Sequence, residues 1–173
     1  MPPGARCAIQ AVMSRRTIVL GMGNPILCDD AVGIRLAREL GAHLRDRAGV
    51  DVVEECSVGG LNLLDLVGGY DRLIVFDSIK TAGGKPGAWY AMTGETFKET
   101  MNLTNVHDAN FTTAMELGRR MGAHIPSPGN VHIFAVEIVD NTTFSESMTA
   151  ELESAYPEFS REIIREALRL LDE

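Results

Sequence analysis

The chain has no apolar run near the roughly 18 residues that a membrane-spanning helix needs, so no membrane partner is expected. It also lacks a basic stripe. Sixteen lysines and arginines stand against 24 aspartates and glutamates, a formal net charge of −8. The short pairs Arg119-Arg120 and Arg45-Asp46-Arg47 fall in segments that read as helical. Phosphate backbones bind clustered Lys and Arg, so nucleic acid is not an expected partner either. There are only three cysteines, Cys7, Cys28 and Cys56, without CxxC spacing. That argues against a disulfide framework and a structural zinc knot, and for a reduced, cytoplasmic setting. No Gly-x-Ser-x-Gly elbow is present, and neither Ser57-Val-Gly-Gly60 nor Asp77-Ser78 fits one. No His-Glu-x-x-His helix is present, which excludes a zincin. Residues 1–16 carry no secretory apolar core and read as a loosely ordered tail, with Met13 a second candidate start.

What is present is a globular pattern. At 173 residues, 45% of them hydrophobic, the chain is long enough for one buried core and short for two. Thr17-Ile-Val-Leu-Gly21, Val50–Cys56, Asp71–Asp77, Ala88–Thr93 and Asn130–Val139 read as strands. A helix capped by Asp29 or Asp30 is expected to about Arg47, with Val32, Ile34, Leu36, Ala37, Leu40 and Leu44 as its apolar residues. Further helices are expected over Leu61–Val67, Asp108–Met121 and Thr149–Leu171, the last broken or restarted at Pro157. Ala109, Thr112, Met115 and Leu117 are the packing residues expected of the third. Gly94–Val106 is polar and carries no clear pattern. The alternation predicts a single three-layer α/β/α domain over 17–173, with a mostly parallel five-stranded sheet.

Three residues able to hold a metal stand where strands should end or helices begin. They are Asp30, after the glycine turn Gly21-Met-Gly-Asn-Pro; Asp77, at the end of Leu73-Ile-Val-Phe-Asp77; and His107, before the third helix. In an open α/β sheet such positions crowd together at one edge. Two oxygens and one imidazole leave a coordination shell incomplete, which suits a site that accepts something further. Each has a plainer reading alone: a cap, a carboxylate bonded to a loop amide, a surface histidine. Cys28 is a packing residue or, less simply, a soft ligand or reactive thiol. His43 reads as a surface residue at a helix end and His132 as facing a sheet surface. The turn Gly21-Met-Gly23-Asn-Pro-Ile26 invites a dinucleotide reading. It fails because Ile26 stands at the third glycine position and the helix starts too late for a pyrophosphate.

The stretch Ile18-Val-Leu-Gly-Met-Gly-Asn-Pro-Ile-Leu-Cys-Asp-Asp-Ala-Val-Gly33 resembles the opening signature of the [NiFe]-hydrogenase maturation endopeptidases. Leu73–Asp77 and Val106-His107-Asp108 are similar to that family's second and third site segments, in the same order. The similarity runs from about Thr17 to the last helix. It implies a twisted five-stranded sheet between helices, and Asp30, Asp77 and His107 as metal ligands and catalytic residues. Some family members have Glu at the position of Asp30, so the reach here is one methylene shorter.

The resemblance further implies an endopeptidase that trims the C-terminal extension from a hydrogenase large-subunit precursor. The nickel would belong to that precursor, the resting enzyme carrying no metal of its own, and a monomer suits docking to a large partner. Two other functions remain open on the residues alone. One is a metallohydrolase of a small substrate with a resident Zn²⁺ or Mn²⁺. The other is a non-catalytic module that binds a nickel site or a nucleotide.

Overall fold

The computed structural model describes residues 15–99 and 106–173, the side chains of 97–99 and 106–110 excepted. The tail expected over 1–16 falls, up to residue 14, outside the described residues, and so does Cys7. Five strands form one sheet: β1 (Thr17–Met22), β2 (Val50–Cys56), β3 (Arg72–Ile79), β4 (Trp89–Thr93) and β5 (Val131–Glu137). Their order is β2-β1-β3-β5-β4. The first four in that order run parallel, and β4 lies antiparallel along β5. The sheet is thus mixed and mostly parallel, as the sequence pattern predicts.

Side chains alternate across the sheet, and each face is buried beneath helices. Val19, Ile74, Phe76, Phe134 and Val136 face α1 (Val32–His43) and α5 (Ala150–Leu171). Ile18, Leu20, Leu73, Val75 and Ile133 face α2 (Asn62–Val67) and α4 (Val106–Arg120). A short α3 (Gly94–Glu99) occupies the start of the segment that had no clear pattern. Among the described residues no helix is long and apolar enough to cross a membrane.

Four expectations are corrected. Neither Asp29 nor Asp30 caps α1: both lie in a 3-10 turn, Cys28–Ala31, and the residue before the helix is Ala31, which makes no side-chain cap. Strand β3 runs two residues past Asp77, because Ser78 and Ile79 pair with Val136 and Glu137 of β5. Helix α5 passes through Pro157 unbroken. Proline removes one N–H and strains the preceding turn. Pro157 is exposed, so the Glu153 carbonyl left without that N–H can bond water, while Leu152, Tyr156, Phe159 and Ile163 keep both halves on the sheet. On α4 Met115 is buried as expected, beside Phe111, Ala114 and Gly118, whereas Thr112 is only partly buried and Leu117 is exposed; the Ala109 side chain lies outside the described residues.

Candidate active site

The chain leaves β1 through α1 to β2 on one side, and returns to β3 on the other. Between the C-terminal ends of β1 and β3 the strand order reverses, the place at which open α/β sheets form a crevice. Helix α1 begins directly above it. A Cβ on Gly33 would lie 2.4 Å from the Met22 carbonyl oxygen and 2.5 Å from that of Phe76, so only glycine lets the helix start so close to both strands.

Asp30 sits at the mouth of this crevice, partly exposed. One carboxylate oxygen accepts from the Asn24 N–H at 2.8 Å, and the other from the Ser78 hydroxyl at 2.7 Å. Ser78 also donates its backbone N–H to the Asp77 carboxylate at 2.8 Å. The buried Ser78 therefore holds both carboxylates, one through its side chain and one through its backbone. Each Asp30 oxygen carries two lone-pair directions, and the described residues fill one on each.

The turn that delivers Asp30 depends on Gly23. Its φ is 133°, and a Cβ there would meet the Asp30 carbonyl oxygen at 2.0 Å. Replacing Gly23 by Ala must both strain the backbone and push Asp30 away. We expect Gly23→Ala to destabilise the fold by more than about 1 kcal/mol and to lower catalysis further than the stability loss explains. Urea unfolding alongside an activity assay at matched folded fraction checks this.

Asp77 shares the sheet face of Leu73 and Val75, the face that α4 covers. Helix α4 runs antiparallel to β3. Just past its C-terminal end, the His124 carbonyl accepts from the Gly69 N–H at 2.8 Å, and the His124 ring lies 3.2 Å from the Asp71 carboxylate. Its fifteen residues span about 22 Å at 1.5 Å each. From Asp71 to Asp77 the strand covers about 20 Å. The first turn of α4, with His107 as its second residue, thus stands at the same edge as Asp77. The His107 side chain lies outside the described residues. Among the described residues no three His, Cys, Asp or Glu side chains converge as a metal-binding group.

Residues 34–166 match the model of the hydrogenase maturation protease family. The chain belongs to this family. It is a peptidase, and so a hydrolase. The matched stretch includes Asp77 and His107, and Asp30 lies just ahead of it. Solved structures agree in fold. The hydrogenase maturating endopeptidase HybD of E. coli superposes with a TM-score of 0.67 at 21% identity, over 88% of this chain and 93% of that one. The [NiFe] hydrogenase maturation protease HycI of Thermococcus kodakarensis gives 0.66 at 15% identity, over 94% and 96%. The hydrogenase 2 maturation peptidase of a Thaumarchaeota archaeon gives 0.58 at 22% identity, over 90% and 99%. No curated protein matches by sequence.

In this hydrogenase maturation protease two acidic residues, Asp29 and Glu137, have roles that the sequence reading did not assign. Asp29 is fully buried. Its carboxylate accepts from the N–H groups of Val139, Asp140 and Thr149 at 3.0, 3.0 and 2.7 Å, and from the Thr149 hydroxyl at 3.1 Å. It ties the turn bearing Asp30 to the exit of β5 and the entry of α5. Glu137, at the end of β5, bonds the backbone and hydroxyl of Thr81 and the Tyr90 hydroxyl, and so anchors the loop after β3. The partners of Asp29 lie 110 to 120 residues away in sequence, so no local pattern reveals them. Cys28 is buried beside it, at a φ of 37°, and burial pushes its thiol pKa up, with the Asp29 charge adding to the shift. A thiol kept neutral in this way packs rather than attacks. His43 is exposed at the end of α1, and His132 is partly buried on β5, away from the crevice.

Proposed function

We propose that this protease removes the C-terminal extension of a [NiFe]-hydrogenase large-subunit precursor, and that it acts on precursor already loaded with nickel. Asp30, Asp77 and His107 meet that nickel when the precursor docks. The observation that carries the reading is the pairing of Asp30 and Asp77 through Ser78, at the crevice where the strand order reverses. Ser78 links the two carboxylates by hydrogen bonds, and a cation brought between them would balance their charge. Two carboxylate oxygens and an imidazole form a set that Ni²⁺ accepts, although Zn²⁺ and Mn²⁺ accept it as well. The set's position at an open edge, rather than in a closed pocket, suits a metal that arrives with another molecule.

The nickel is here part of the substrate, and when bound it supplies Lewis acidity beside the scissile carbonyl. The chain's own residues do the rest. Asp30, aimed by the Asn24 amide and the Ser78 hydroxyl, and Asp77, aimed by the Ser78 amide, fix where the precursor's metal site comes to rest. They are also the groups placed to take a proton from the attacking water. A precursor without nickel would not be held at the carboxylates and would not present its bond for cleavage.

The test is incubation with nickel-loaded and nickel-free precursor, followed by intact-mass measurement of both polypeptides. Loss of a C-terminal fragment from the loaded form alone is the expected result. Equal cutting of both forms would remove the nickel-reading role, and no cutting of either would remove the assigned substrate.

A further inference from the structure

Between α1 and α5, on the side turned away from the sheet, runs a groove of about 770 Å³. Tyr156, Ile164 and Leu168 of α5 give it an apolar floor, the first two buried. At its mouth stand Arg161 and Arg165, both exposed and about one helical turn apart. In a chain with 24 acidic and 16 basic residues an exposed arginine readily finds a carboxylate. Arg35, Arg38, Arg47, Arg120 and Arg169 each do. Arg161 and Arg165 make no hydrogen bond or ion pair among the described residues.

The acids around them are engaged elsewhere. Glu162 accepts from the Trp89 indole N–H at 2.9 Å, and Glu166 pairs with Arg169 at 2.7 Å. In the groove lining, Glu39 accepts from the Tyr156 hydroxyl at 2.9 Å, and Asp172 pairs with Arg47 at 2.9 Å. Two unpaired cations over an apolar floor complement a segment that is acidic on one side and apolar on the other. Helix α5 also ties the groove to the crevice. Its N-terminal Thr149 is bonded to Asp29, the neighbour of Asp30. At 1.5 Å per residue Arg161 and Arg165 lie about 18 and 24 Å along the helix from that point.

We propose that the groove between α1 and α5 is a second docking site for the precursor, and that it takes an acidic, amphipathic segment of that protein. The inference rests on the function proposed above and adds to it a contact remote from the bond that is cut. The occupant follows from charge and reach. A standard interface covers about 800 Å² on each partner, a patch roughly 30 Å across. One partner seated at Asp30 and Asp77 therefore extends to Arg161 and Arg165. The crevice offers carboxylates and the groove offers guanidinium groups. A precursor with its metal at one end and an acidic segment at the other fits in one orientation only.

Steady-state processing of nickel-loaded precursor tests this, using the double variant Arg161→Gln/Arg165→Gln. Glutamine is a good helix former and both positions are exposed, so the melting temperature should stay near wild type. Arg120→Gln is the control, an exposed arginine at the end of α4 on the other face of the sheet. The double variant is expected to raise KM about tenfold with kcat within about twofold, and Arg120→Gln to change neither. Added salt should raise KM more for the wild type than for the double variant, which has fewer charges left to screen. An unchanged KM in the double variant, or an equal rise in Arg120→Gln, overturns the groove as a docking site, while wild-type cutting leaves the parent reading intact. Self-association of the wild type that the double variant abolishes, with KM unchanged, would give the groove to a second copy of the chain and overturn the proposal in the same way. Failure of the wild-type chain to cut any precursor overturns both.

Discussion

Asp77→Asn is expected to lower precursor processing by about a hundredfold or more while the protein melts within a few degrees of wild type. The asymmetry comes from geometry. Asparagine keeps the size of aspartate and its side-chain oxygen can still accept from the Ser78 N–H, the bond that orients the group. What it loses is the charge, which is the property that draws a cation and takes a proton. Removing one well-placed charged group from a reacting centre commonly costs two to three powers of ten in rate. Asp30→Asn should behave in the same way, as its amide can still accept from the Asn24 N–H and donate to the Ser78 hydroxyl oxygen. His107→Ala should also leave uncut, nickel-loaded precursor. Intact-mass kinetics and thermal melts on the same samples check all three. A variant that melts early but cuts normally per folded molecule would make its residue a structural one.

The adjacent carboxylate should respond in the opposite way. Asp29→Ala is expected to cost about 2–4 kcal/mol of folding stability, measured by urea unfolding. The alanine leaves the amides of Val139, Asp140 and Thr149 without their acceptor in a partly buried place, and it unties β5 and α5 from the turn after β1. Asp29→Asn keeps some of these bonds but turns one oxygen into a donor facing other donors, so an intermediate loss is expected. Two neighbouring aspartates would then separate cleanly, one read out in stability and the other in turnover. Comparable stability loss in Asp30→Asn and Asp29→Asn would erase that distinction.

The parts of this fold that could be read from sequence are those with local causes. The apolar runs of β1 and β3 declare strands covered on both faces. The helical spacing of Val32, Leu36 and Leu40 declares the buried side of α1. Asp77 stood out because a carboxylate at the end of such a run needs a partner, and Asp30 because it follows a glycine turn. What could not be read depends on distance. Asp29 and Asp30 look alike as a pair. One is buried only because the loop after β5 and the start of α5 close over it. Pro157 suggested a break that packing on either side overrides. Ser78, which joins the two carboxylates, carries no motif at all. Its role follows from the strand extending past Asp77 through pairing with β5.

The central claim is that Asp30, Asp77 and His107 meet one nickel ion brought by the precursor. Nickel-edge X-ray absorption on loaded precursor, before and just after mixing and freezing with an equimolar amount of the protease, tests it most directly. The account predicts that mixing adds light-atom ligands at about 2.0–2.2 Å, with an imidazole scattering pattern that His107→Ala removes and an oxygen contribution that Asp30→Asn and Asp77→Asn reduce. A nickel shell that stays the same after mixing, in a sample that goes on to be cut, would contradict it.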